Sequence, residues 1–138
     1  MALSQFLVML VSSNSKCDLV VQGKESFTAQ EKPGYEIFKG KCESCHKEPL
    51  FTYLSYRNTG KTVNRTLDDH GLVNITGIKK DDRKFKVPLL RNVAYTYPYG
   101  HDGRFFSLQQ GYEHYRNKMT VTPLTDSLLQ HKIPLTNL

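Results

Sequence analysis

Apolar residues are spread along the whole chain but gather into helical periods in only a few places. Residues 2–11 are almost wholly apolar and predict a short helix, which Ser12, Ser13, Asn14 and Ser15 then break. Thr28-Ala29-Gln30-Glu31 has the T-x-x-E form, in which hydroxyl and carboxylate satisfy each other's backbone donors, so a helix should run from there to about Cys42. Pro33 falls near its first turn, where a missing donor costs least. Tyr35, Phe38 and Cys42 recur at i, i+3 and i+7, which puts two aromatics and a cysteine on one face. Over residues 47–87 no period persists, Asn, Asp, Thr and Gly are abundant, and the segment reads as long loops with short helical pieces. Loops of that length point to a chain wrapped around something other than protein. Pro88 precedes a short helix predicted over residues 89–94, Tyr97-Pro98-Tyr99-Gly100 forces a turn, and Ser107-Leu108-Gln109-Gln110 is a second capping box. Leu108, Tyr112, Tyr115 and Met119 then share one face at i, i+4, i+7 and i+11. A last short helix is expected over residues 126–131.

The 138 residues suffice for one domain, and 38% hydrophobic residues argue against a disordered chain. No 18-residue apolar run is present to span a membrane, and the apolar stretch 6–11 lacks the basic flank and small-residue cleavage site of a secretory signal. With 19 Lys and Arg against 13 Asp and Glu the formal charge is +6. The lysines at 39, 41, 47, 79, 80, 84 and 86 are scattered, which fits a solvated basic surface better than a nucleic-acid site, although the surplus would favour an acidic protein partner. Cys17, Cys42 and Cys45 are too few for a disulfide scaffold.

Cys42-Glu43-Ser44-Cys45-His46 is C-x-x-C-H, the attachment signature of c-type haem. Each thiol adds to one porphyrin vinyl group, and the adjoining His46 is carried beneath the iron as proximal ligand. Zinc would need one or two more closely spaced Cys or His ligands, and no cysteine follows Cys45. A thioredoxin-like pair would follow a strand, whereas here a helix precedes the motif. Haem then supplies the core that the loops surround, with Tyr35 and Phe38 available to pack on it or on a partner helix. Candidates for the sixth iron ligand are Met119, Tyr115, His114, Met9 and His101. His114 points about 100° from Tyr115 on an ideal helix and reads as a solvated side chain. Phase leaves Tyr115 or Met119, and spacing does not choose between them.

Residues 84–115, reading KFKVPLLRNVAYTYPYGHDGRFFSLQQGYEHY, together with 34–52, RNTG at 57–60 and DDHGLVNITG at 68–77, resemble the bacterial di-haem cytochrome c peroxidases and their MauG-type relatives. Family members carry two cytochrome c-like domains, and this sequence is similar to the C-terminal one only. The resemblance implies an all-α, cytochrome c-like haem domain over residues 28–138, truncated at both ends, after a connecting segment 1–27. It implies one haem c held by Cys42 and Cys45, with His46 proximal and Tyr115 distal, Met119 being the alternative. It also implies Arg91 and Arg104 beside the haem propionates and a calcium ion taken partly by the carbonyls of Thr96 and Pro98. Gly100 and Leu89 depart from the usual family residues, and the family's inter-haem tryptophan has no counterpart in a chain without Trp.

The function implied is that of the electron-transfer half of a cytochrome c peroxidase type oxidoreductase. Electrons would enter from a small cytochrome c or cupredoxin, and hydrogen peroxide would be reduced to water on the haem of the absent N-terminal domain. A Tyr ligand favours oxidised iron and leans toward the MauG-like branch. The periplasm is implied because covalent haem attachment of this kind occurs outside the bacterial plasma membrane. No nucleic-acid partner is expected, and a homodimer is compatible with the reading. The competing function is a free-standing mono-haem electron carrier without catalysis. Cys17 reads as a buried or free thiol.

Overall fold

The computed structural model describes residues 2–135 as short regular elements set in long irregular connections. Helix α1 (Ala2–Met9) forms from the apolar start of the chain and buries none of its residues. The serine-rich break does more than end it, because Ser15 and Asp18 form a complete capping box that opens α2 (Lys16–Val21). Helix α3 (Glu31–Lys41) starts where expected. Its Glu31 N–H donates to the Thr28 hydroxyl at 3.2 Å, and the Thr28 N–H donates to the Glu31 carboxylate at 2.9 Å. Cys42 closes the helix by donating its N–H to the Phe38 carbonyl at 2.8 Å.

The all-α expectation is corrected by a two-stranded antiparallel ribbon. Strand β1 (Tyr56–Arg57) pairs with β2 (Phe85–Lys86), Tyr56 facing Lys86 and Arg57 facing Phe85. Backbone donors in so long a loop need partners, and pairing its two ends supplies them. Between the strands lie α4 (Val73–Thr76) and a 3-10 turn at Lys79–Asp81. Gly71 permits the return, since it has φ +67° and a Cβ there would lie 2.5 Å from the Lys84 carbonyl oxygen.

Residues 89–94 form successive turns in place of the expected helix. Val93 donates to the Leu90 carbonyl and Tyr95 to that of Asn92, while Asn92 itself sits at φ +58°, which a right-handed helix does not admit. Helix α5 (Leu108–Glu113) begins at Ser107, whose hydroxyl accepts from the Gln110 N–H. The Gln110 side chain reaches back one residue further than the box predicts, accepting from the Phe106 N–H at 2.7 Å. The helix then widens into a π-turn (His114–Lys118) and ends at Met119 in extended backbone. Over 126–131 only a 3-10 turn (Ser127–Leu129) forms, because the Asp126 carboxylate caps Leu128 and binds Arg57.

Among the described residues only Val87, Met119 and Leu129 are buried apolar side chains. Asn58, 1% exposed, ties the loops together by accepting from the Gly60 N–H and donating to the Asp82 carbonyl, each at 3.0 Å. So small an apolar core cannot by itself offset the chain entropy of ordering the described residues.

Candidate haem-binding site

Cys42, Cys45 and His46 stand in consecutive turns just beyond α3. The Cys45 and His46 N–H groups both donate to the Cys42 carbonyl, at 3.1 and 2.9 Å. Behind them Phe27, Tyr35, Phe38 and Phe51 run as a contiguous aromatic row, with neighbouring ring centroids 4.8, 6.5 and 5.7 Å apart. Phe51 has a second role, since its carbonyl oxygen lies 3.1 Å from His46 Nδ1. The Pro88 backbone is a second hydrogen-bond partner of the ring, and an Nδ1–H donated to a backbone carbonyl would orient Nε2 as a metal ligand, the usual division of labour in a ligating histidine. Burial lowers the His46 pKa, so the imidazole is neutral near pH 7. Burial likewise raises the Cys42 and Cys45 thiols.

Tyr115 enters the site from the π-turn. Its phenol is pushed up to about 12 by burial first and then by the charges of Cys45 and Cys42, which locates it beside the two thiols. Its hydroxyl makes no hydrogen bond among the described residues, and part of its surface stays open, as do parts of Cys42, Cys45 and His46. All four side chains are half-buried. An apolar macrocycle with a central cation suits that donor set: two thiols to anchor it, a neutral imidazole and a phenol that can give up its proton to iron. The residues present fit haem c.

The other ligand candidates lie elsewhere. Met119 is buried against Gly60, whose carbonyl accepts the Thr120 N–H at 2.9 Å. Met9 is on exposed α1. His101 stacks on Phe85 with ring centroids 3.5 Å apart, and its buried Nδ1 has no partner. His114, expected to be solvated, is instead 4% exposed, with Nε2 2.8 Å from the Thr59 carbonyl oxygen. The π-turn causes this difference, because its extra residue per turn swings His114 inward.

Arg91 and Arg104 are not two of a kind. Arg91 lies near Phe51 at 5.2 Å and donates to both carboxylate oxygens of Asp18 and to the carbonyls of Ser12 and Pro49. It clasps α2 to the haem-motif loop. Arg104 binds the fully buried Asp102 carboxylate and the Thr62 carbonyl. Thr96 and Pro98 are exposed, and among the described residues no three His, Cys, Asp or Glu side chains gather as a metal site. The aromatic row to Phe51 and the buried His114 were missed by sequence reasoning. The i, i+3 pair in α3 hinted at the first, whereas nothing in the chain signals a π-turn.

No family model matches the chain. It is 39% identical over 116 residues to cytochrome c551 peroxidase of Nitrosomonas europaea, covering 81% of this chain and 35% of that protein. It is 38% identical over 128 residues to the methylamine utilization protein MauG of Paracoccus denitrificans (78% and 33%). It is also 38% identical over 109 residues to cytochrome c peroxidase Ccp of Escherichia coli (74% and 23%). The crystal structure of a MauG-like protein associated with microbial copper homeostasis superposes with a TM-score of 0.78 at 28% identity, covering 91% of this chain and 48% of that one. The chain thus spans about a third of the length of the curated relatives it matches. Over that length, with a C-x-x-C-H turn and Tyr115 beside its two thiols, it belongs to the cytochrome c peroxidase and MauG family.

Proposed function

We propose that this chain is the electron-transfer haem c domain of a peroxidase, and that hydrogen peroxide is reduced on a second haem domain outside it. The observation that carries the reading is Tyr115 beside Cys42 and Cys45 of the C-x-x-C-H turn, whose His46 holds its Nδ1 3.1 Å from the Phe51 carbonyl oxygen. Haem bound there would supply a one-electron couple. Cys42 and Cys45 would hold its edge, the Phe51 carbonyl would orient His46, and a deprotonated Tyr115 would be a second protein ligand to the iron. A site filled in that way would leave peroxide no open position, so the domain would pass electrons while the chemical step took place elsewhere.

For the whole enzyme two electrons and two protons convert one hydrogen peroxide into two waters. A small periplasmic cytochrome c or cupredoxin is the donor class. The +6 charge would favour an acidic donor face. An anionic oxygen ligand holds iron in the ferric state more strongly than a thioether and would lower the potential. Arg104 keeps a propionate role through Nη1, whose contact with the Thr62 hydroxyl is a long 3.4 Å. Calcium at the Thr96 and Pro98 carbonyls would need further oxygen ligands, because two carbonyls alone bind it weakly. No helix among the described residues is long and apolar enough to cross a membrane.

The test is to mature the chain with haem c and record ferric spectra of wild type, Tyr115→Phe and Met119→Ala. Tyr115→Phe should turn a low-spin spectrum high-spin and Met119→Ala should not. The reverse pattern assigns Met119, and a spectrum that neither change alters removes both as ligands.

A further inference from the structure

Lys61 is a cation without a stated purpose. Its ammonium makes no hydrogen bond or ion pair among the described residues and lies 5.9 Å from the centroid of the Phe105 ring. Around it stand His101, Asp102, Arg104 and His114, all close enough for their charges to act on one another. Asp102, the carboxylate of this group, is already neutralised by Arg104, with Nε–Oδ2 and Nη2–Oδ2 distances of 2.7 and 2.5 Å. Lys61 is thus left without a carboxylate partner of its own, Asp69 acting on His101, and burial disfavours an unpaired ammonium. The neighbouring His101 Nδ1 is buried with no partner. An ammonium beside a ring nitrogen that can carry a proton suits an anion.

The position of the pocket says which anion. Phe105 tilts against His114 at 5.7 Å, and His114 meets Tyr115 edge-on at 5.2 Å. Tyr115 in turn adjoins Cys42 and Cys45. Thiols and cationic pocket thus lie at opposite ends of a continuous row with Tyr115 between them. In haem c the thioether-bearing edge and the propionate-bearing edge are likewise on opposite sides of the macrocycle. We infer that Lys61, assisted by an Nδ1–H of His101, binds a haem propionate carboxylate beside Arg104, which Asp102 and Thr62 hold in place. The inference rests on the haem reading above.

Resonance Raman spectra of the haem-loaded chain test it through the propionate-bending bands, which respond to hydrogen bonding at the carboxylates. Lys61→Met should shift one of these bands, Lys61→Arg should restore it, and Lys47→Met, a lysine on the Tyr53 side, should leave it in place. Loss of the cation should also favour the ferric form about tenfold, which is about 59 mV for one electron. Unmoved propionate bands in a Lys61→Met protein with normal haem absorption overturn the assignment and leave the haem reading intact. A chain that matures without covalent haem overturns both.

Discussion

Single side chains set the local electrostatics, and the Asp18–Arg91 pair is the plainest case. Hydrogen bonds from Arg91 and then from Ser15 hold the Asp18 carboxyl well below the usual carboxylate range. A depressed folded-state value adds stability above the unfolded pKa of about 3.9, and that stability is lost as pH falls toward the folded value. Asp18→Asn should therefore destabilise the protein by about 2 kcal/mol at pH 7, the worth of charge-assisted hydrogen bonds, and thermal melts should show the gap from wild type narrowing below about pH 4. Arg91 was expected at a propionate because an arginine near the haem motif has two natural partners. Only the folded chain brings Asp18, distant in sequence, into its reach. Tyr115, by contrast, was named in advance because helical phase and a family pattern agreed on it.

Helix starts were legible and helix ends were not. Thr28 and Glu31 make the reciprocal bonds that their spacing predicts. Thr28→Ala should cost about 1 kcal/mol, read as a lower denaturation midpoint at unchanged m-value. A capping box is a local device of four residues, so its start is readable in sequence, although at Ser107 the Gln110 side chain reaches Phe106 in place of the cap residue. The helix expected over 89–94 failed because Asn92 takes positive φ, and the one over 126–131 failed because Asp126 turns to Arg57. Neither competing interaction lies within the window that periodicity examines. The ribbon between Tyr56–Arg57 and Phe85–Lys86 was missed for the same reason, its strands being two residues long and too short to show alternation.

The whole molecule is short elements set in long loops, with Val87, Met119 and Leu129 as its buried apolar residues among those described. On the haem reading proposed above, the macrocycle would complete that core. A Cys42→Ser, Cys45→Ser double variant, unable to form thioethers, should keep much of its far-ultraviolet circular dichroism. It should lose near-ultraviolet signal and bind a hydrophobic dye, the marks of a collapsed but loosely packed state. Equal near-ultraviolet spectra for this variant and the haem-loaded protein would show that the polypeptide packs alone. Apolar surface on α1, where Phe6, Leu7 and Val8 are all exposed, adds to the impression of a unit built to be covered.

The haem motif, the two capping signatures, the aromatic face of α3 and the shared helical phase of Tyr115 and Met119 were all present in the order of residues, because each depends on neighbours within a few positions. Which partners Arg91 and Arg104 take, why His114 is buried, and how Lys61 comes to act on His101 were decided by contacts across tens of residues. Short-range chemistry is written along the chain. Charge pairing and enclosure exist only once distant segments have met.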